Sequence, residues 1–296
     1  MTKVALIGSQ STHAWSFVRL FNVEGVVPGL RISALCPECP EQDRELCSLG
    51  AITRTVNDPA ELTDCQAALV LHRDAAFHAD AARPFLHARV PVFVDKPLTP
   101  TVGEGSRLLA LAATHGAPIT SFSVMTMQQS WTRHVLPAIK SLGPLRHLQI
   151  DAPGDSNSPW GGILFYGIHA AELLHAAAPG MCHSVQAYVE GNEGGARLEY
   201  EGGTGSFRAT VRLFSEHAHG YHVEAAGSAG ALATTLDMDQ DPYLTAALEL
   251  GMFLKRQKPG RPAADILGAL ALIEAARSSL ENGCRVPVHS PGMQAG

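Results

Sequence analysis

Along the first part of the chain, apolar and polar positions fall into alternating blocks. Short runs rich in Val, Ile and Leu occupy residues 4–7, 31–35, 67–71, 90–94 and 118–122. Runs of that length and composition are the pattern of strands buried on both faces, as in a parallel sheet. The stretches between them repeat apolar residues at helical spacing. Phe17, Leu20 and Phe21 do so within residues 12–22, and Leu108, Leu109 and Leu111 within residues 102–115. Asp58-Pro59-Ala60-Glu61 reads as a helix start, with an Asp cap, Pro in the first turn and Glu three residues after the cap. Pro84 falls inside the helical stretch 75–88 and predicts a kink or split there. Strands separated by helices require crossover connections. The pattern therefore predicts an α/β fold, a doubly wound parallel sheet over residues 1–122, with ligands at the C-terminal ends of its strands.

From residue 123 the pattern changes. Residues 131–142 read as a helix ended by Gly143-Pro144, residues 146–151 as a strand, and residues 159–177 as a glycine pair followed by a helix. Residues 185–236 are mostly strand-like, with glycine-rich turns at 191–195, 201–205 and 227–230. Strands joined by short glycine turns predict an antiparallel sheet. Two helical stretches, 242–255 and 262–281, close the chain; the second carries Ile266, Leu267, Leu270, Ile273 and Ala276 on one face and is ended by Asn282-Gly283. Residues 290–296 read as a loose tail. The chain thus divides into two expected domains, 1–122 and 123–296, without internal repeat.

Composition narrows the function classes. The 296 residues are 46% hydrophobic and 17% charged, which suits a folded protein with a substantial core. The net charge of -6 provides no positive field for nucleic acid or an anionic membrane surface. No apolar run approaches the ~20 residues of a membrane span. The apolar run after Lys3 is too short for a secretory signal and reads as a strand. The expected location is the cytoplasm. Six cysteines are scattered; Cys36 and Cys39 have the spacing of half a metal or redox site but lack a second pair, so ordinary thiols and no metal are expected.

Candidate chemistry clusters at strand ends. The turn from the first strand, Gly8-Ser9-Gln10-Ser11-Thr12-His13, is where a dinucleotide-binding fingerprint G-x-G-x-x-G would lie. Gly8 fits, while Gln10 and His13 take the second and third glycine positions. Gln10 would crowd a pyrophosphate, and His13 would push the helix from the strand or reach into the site. The hydroxyls of Ser9, Ser11 and Thr12 could still assist a helix N-terminus in binding phosphate; an ordinary strand–helix turn is the other reading. Glu38, just beyond the second strand, is a candidate for the adenosine ribose hydroxyls or a plain loop residue. His72 and Asp95 follow the third and fourth of the apolar runs, at the same sheet end, and are further cofactor candidates. Val94-Asp95-Lys96-Pro97 sends a buried strand straight into a lysine flanked by an acid and a proline. Such a lysine can donate a proton or hydrogen bond to a substrate oxygen, and the proline fixes the turn and can favour a cis bond. In the second half, helical spacing puts Phe165 with His169, and Tyr166 with His169 and Glu172. His169 is a candidate acid or base with Tyr166 or Glu172 as partner; a buried structural histidine is the other reading.

Asp95-Lys96-Pro97, Gly161-Gly162 through Gly167-Ile168-His169 and Glu172, together with His78, the segment 223–232 and the segment 274–283, resemble the glucose-fructose oxidoreductase / inositol dehydrogenase (Gfo/Idh/MocA) family. The order of these segments spans nearly the whole chain. The resemblance implies an N-terminal Rossmann domain and a C-terminal α/β domain with an open, mainly antiparallel sheet that often forms subunit interfaces, hence a homodimer or homotetramer. It implies NAD or NADP as cofactor and a sugar-like or other small carbonyl or alcohol as substrate. By carry-over, Lys96 would contact nicotinamide ribose and substrate, and His169 would transfer the proton, with Tyr166 as a further catalytic candidate. One departure is chemical: the family Asp four residues before the histidine is Phe165, as in a subset of the family with Tyr-Gly-Ile-His wording. That loss and the changed glycine loop define the alternative, a lyase, isomerase or cyclase reusing the pocket without hydride transfer.

Overall fold

The computed structural model describes residues 1–191, 194–202, 206–215 and 220–289. The tail expected over 290–296 and the centres of the turns expected at 191–195 and 201–205 lie outside those residues. In chain order the elements are β1 (Thr2–Ile7), α1 (Thr12–Val18), β2 (Leu30–Cys36), α2 (Pro40–Gly50), β3 (Arg54–Thr55), β4 (Ala67–Val70), α3 (His78–His87), β5 (Val92–Val94), α4 (Val102–His115) and β6 (Ile119–Thr120). They continue with α5 (Leu136–Ser141), β7 (Leu145–Pro153), α6 (Leu164–Ala177), β8 (Ser184–Glu190), β9 (Gly195–Glu201), β10 (Arg208–Phe214), β11 (Tyr221–Gly227), β12 (Gly230–Leu236), α7 (Leu244–Leu254), α8 (Ala263–Asn282) and β13 (Val286–Pro287).

The chain folds as two compact units. The first holds a parallel sheet of order β3-β2-β1-β4-β5-β6. Strand order reverses between β1 and β4, which makes their C-terminal ends the switch point where ligands of such sheets sit. Val4 to Ile7 of β1 and Ala67 to Val70 of β4 are almost wholly excluded from water, which explains why these strands read as unbroken apolar runs rather than alternating ones. Each large apolar side chain so buried contributes about 1.5–3 kcal/mol. Helix α1 docks through Phe17, whose ring lies 6.1 Å from that of Phe93 on β5 in an edge-to-face arrangement.

Two local expectations differ in the structure, and one strand goes beyond them. Strand β3, a two-residue polar edge strand, carries too little pattern to be read. The helix start at Asp58 yields only a single 3-10 turn, Pro59–Leu62, with the Asp58 carboxylate accepting from Ala60 N at 2.9 Å. Pro84 does not split its helix: α3 runs through it, and the break lies earlier, at the 3-10 turn Ala75–Phe77. The buried face of Ala81, Ala82, Phe85 and Leu86 holds α3 together despite the N–H that proline lacks.

The division at residue 122 also needs an amendment. Asp241–Arg261, with α7, belongs to the first unit, and Pro100–Val102 to the second. Gly251 of α7 lies so close to Val27 that a Cβ would come within 2.6 Å of its Cγ2. Arg19 pairs with Asp241 at 2.6 Å, and Arg261 N donates to Thr120 Oγ1 at 3.0 Å.

The second unit is built on a sheet of order β12-β11-β7-β10-β9-β8-β13. Its neighbours pair antiparallel except β7 and β10, which run parallel. Ala196, Leu198 and Tyr200 of β9 are buried while Arg197, Glu199 and Glu201 between them are partly exposed, the alternation of a sheet covered on one face. Helix α8 covers that face: Tyr200 Oη donates to Leu272 O at 3.0 Å, and Ser279 Oγ accepts from Ala187 N at 2.9 Å. Among the described residues, no helix is long and apolar enough to cross a membrane.

Candidate functional site

The first cluster lies at the C-terminal ends of β1, β2, β4 and β5. Gly8 has φ +85, and a Cβ there would stand 2.7 Å from His72 N. Only glycine satisfies both the conformation and the close approach. Beyond it, Ser9 is fully buried and its Oγ has no hydrogen-bond partner among the described residues. Ser9 N and Gln10 N both donate to Glu38 Oε2, at 3.0 and 3.2 Å, so the acid that follows β2 is drawn over the loop. Ser11 Oγ caps α1 by accepting from His13 N at 3.1 Å, while Thr12 is exposed.

His13 neither pushes α1 away nor fills the loop. Its ring is buried, packs edge-on to Tyr243 at 5.2 Å, and sets Nδ1 2.9 Å from each carboxylate oxygen of Asp95. Asp95 Oδ1 also accepts Lys96 N at 2.8 Å. Burial works against ionisation of Asp95, yet the charge and hydrogen bond of His13, with the charge of Lys96, hold its carboxyl below the usual carboxylate range. Asp95, expected among the cofactor contacts, bonds His13 and the backbone N–H of Lys96, which is itself buried.

A second histidine holds the same turn from the other side. His78, fully buried, places Nδ1 2.9 Å from Pro97 O and Nε2 2.9 Å from His72 O. The Lys96–Pro97 peptide bond is cis. Burial, then the neighbouring charge of His78, pushes the His72 imidazole down to about 4, so His72 is neutral at physiological pH.

The second cluster belongs to the other unit. Gly161 and Gly162 both have positive φ, and a Cβ on Gly162 would meet Ser156 O at 2.9 Å. This glycine turn delivers the chain into α6, whose spacing puts Tyr166, His169 and Glu172 on one side. His169 is buried, and Tyr166 is half-buried with its ring 5.6 Å away. Phe165 meets Tyr166 edge-on at 4.8 Å. His169 Nδ1 lies 2.6 Å from Ser123 Oγ, and Ser123 N donates to Glu172 Oε2 at 2.9 Å. Ser123, His78 as an anchor and the His13–Asp95 pair escaped sequence reasoning. For His13 the signal was present, since a large residue at a glycine position needs a partner.

Residues 2–122 match a family described as an oxidoreductase family with an NAD-binding Rossmann fold, GFO_IDH_MocA. This N-terminal part is similar to the Gfo/Idh/MocA family. Solved structures carry the likeness of fold over the whole chain. The apo scyllo-inositol dehydrogenase from Lactobacillus casei is 14% identical, with a TM-score of 0.84 over 97% of this chain and 98% of that one. The myo-inositol dehydrogenase from Lactobacillus casei, in complex with NAD(H) and myo-inositol, is 18% identical, with a TM-score of 0.81 over 99% and 98%. An oxidoreductase from Agrobacterium radiobacter, in complex with NAD+, L-tartaric acid and magnesium, is 15% identical, with a TM-score of 0.77 over 97% and 98%. No curated protein sequence matches the chain. Gly8 and Lys96 both lie within the matched residues, as do His13 and Asp95.

Proposed function

We propose that the chain is an NAD(P)-dependent oxidoreductase that interconverts a carbonyl and an alcohol on a sugar-like or other small polar substrate. The observation that carries this reading is the buried lysine Lys96, held by its neighbours at the ligand end of an oxidoreductase-family Rossmann sheet. The loop fits a dinucleotide. Gly8 leaves the backbone open to close approach, the Ser9 hydroxyl is buried without a partner, and His13 is turned toward Asp95 rather than across the loop. Gly8, Ser9, Gln10, Ser11 and Thr12 would hold the phosphates, Glu38 the adenosine ribose, and Lys96 the nicotinamide ribose, with His72 bordering the loop.

When bound, the cofactor supplies or accepts the hydride. The chain's own residues do the rest. Lys96 polarises the reacting oxygen with its ammonium, a compact charge on a stem whose backbone Asp95 fixes. In the second unit His169 is the residue that handles the proton, with Tyr166 as the neighbouring hydroxyl, and Phe165 gives the substrate an apolar wall where the family has an acid. The substrates named for solved relatives, myo-inositol and scyllo-inositol, make cyclitols the first class to test. We further propose a cytoplasmic homodimer or homotetramer joined through the open face of the larger sheet, which light scattering on the purified protein tests.

The primary experiment titrates the protein with NADH and NADPH, following nicotinamide fluorescence. Micromolar binding of either, followed by cofactor turnover with cyclitols or aldoses, is the expected result. A folded protein that binds neither cofactor overturns the reading in favour of the non-redox alternative that Phe165 raises.

A further inference from the structure

The polar groups of Ser123 are placed in a way that no simple capping role requires. Ser123 is fully buried and caps the 3-10 turn Val124–Met127 by accepting from Met125 N at 3.0 Å through its Oγ. The same Oγ is 2.6 Å from His169 Nδ1. Its backbone N–H donates to Glu172 Oε2 at 2.9 Å, and its carbonyl accepts from Thr126 Oγ1 at 2.9 Å. His169 and Glu172, three residues apart on α6, thus grip one serine from both its side chain and its backbone.

A serine oxygen has one hydrogen and two lone pairs. One lone pair takes the Met125 N–H. Two arrangements then remain for a neutral imidazole. In the first, the hydroxyl donates to Nδ1 and the ring proton sits on Nε2. In the second, Nδ1–H donates to Oγ, and the hydroxyl hydrogen must find another acceptor. Among the described residues, no other acceptor is bonded to that Oγ, so the second arrangement buries an unsatisfied donor. Such a group shifts a population by about tenfold to a hundredfold.

We propose that Ser123 is the positioning residue of His169 and sets its neutral ring to the Nε2–H tautomer. This rests on the reading of His169 as the residue at the reacting oxygen. A carboxylate at Nδ1 would hold the opposite tautomer and leave Nε2 as an acceptor, suited to taking a proton from an alcohol. A hydroxyl partner makes the neutral ring a donor at Nε2, suited to an oxygen that arrives without a hydrogen. The resting enzyme is therefore matched to the carbonyl form of its substrate, with the neutral imidazole polarising it as a hydrogen-bond donor.

The test is long-range 15N–1H NMR of the protein labelled in histidine, with the His169 signals assigned by their loss in His169→Gln. In the wild type, Nδ1 appears as the bare nitrogen and Nε2 as the protonated one. Ser123→Thr keeps this pattern, because the hydroxyl is retained. Ser123→Ala moves it toward a mixture of tautomers and lowers kcat on the order of tenfold to a hundredfold, a loss that Thr restores. A wild-type ring protonated on Nδ1, or an Ala variant with the wild-type pattern, overturns the proposal. His169→Gln with near-normal turnover overturns the catalytic reading of His169 instead and leaves the tautomer result standing, so the two failures are separable.

Discussion

His13 in the first unit and His169 in the second are both buried histidines, and they answer to different partners. His13 faces a carboxylate, Asp95, within 2.9 Å. His169 faces a hydroxyl, Ser123, within 2.6 Å. A buried carboxylate offers only acceptors, so it ties its histidine to a ring that carries hydrogen on the facing nitrogen. A hydroxyl can donate to a bare ring nitrogen, so it fixes orientation without placing a counter-charge beside the ring. The first arrangement suits a brace that never reacts, and the second suits a residue that handles protons. On the proposed reading, the same side chain braces a turn in one unit and serves the substrate in the other.

The largest test of this contrast is on turnover. Lys96→Ala and His169→Ala are each expected to lower turnover by about 10²–10⁴-fold while circular dichroism stays that of the wild type. Near-normal rates in both would remove the assigned roles. The charge-held side should instead show itself in stability. Asp95→Ala is expected to cost about 1–3 kcal/mol in urea unfolding, since it leaves the buried His13 ring nitrogen without its hydrogen-bond partner. The pair His13→Ala and Asp95→Ala should be strongly non-additive in a double-mutant cycle; simple additivity would mean that the pair is no brace.

Acid should separate the groups of the first unit. The Asp95 carboxyl is held below its usual range, so its stabilisation is present above the unfolded value of about 3.9 and is lost as pH falls through the lower folded value. His72 is depressed to about 4. Between its unfolded value of about 6.5 and that point the unfolded chain takes up the proton first, so stability falls as pH falls through this window. Unfolding midpoints should therefore drop by about 1–3 kcal/mol between pH 6.5 and 4, and His72→Gln should flatten that upper segment. An unchanged slope in the variant would assign the loss to other groups. The smallest expected effect is at Glu38. Glu38→Gln keeps a hydrogen-bond acceptor for Ser9 N and Gln10 N but loses the charge, and should weaken NADH binding by roughly tenfold. Equal dissociation constants would make Glu38 a loop brace only.

Much of the first unit was legible because its signals are local. Runs such as Val4 to Ile7 and Ala67 to Val70 announce buried strands by their own composition, and Val94-Asp95-Lys96 announces a strand end by an abrupt change of polarity. Lys96 and the α6 helix carrying His169 were found that way. The brace on Lys96 was not, since His13 and Asp95 stand 82 positions apart and His78 reaches the turn through Pro97 O. Ser123 carried no signal at all: a serine before Val124 looks like any turn residue until Oγ is seen against His169.

The amino-acid sequence by itself determined the periods of the elements, hence a parallel sheet followed by a mainly antiparallel one, and the residue types available at each strand end. Tertiary structure alone decided the partners: α7 with the first unit, β10 parallel beside β7, His13 with Asp95 and Ser123 with His169. The physical reason is range. Periodicity is set by backbone geometry over a few residues, whereas a partner is chosen by packing between segments far apart in the chain, whose pairing no local pattern records.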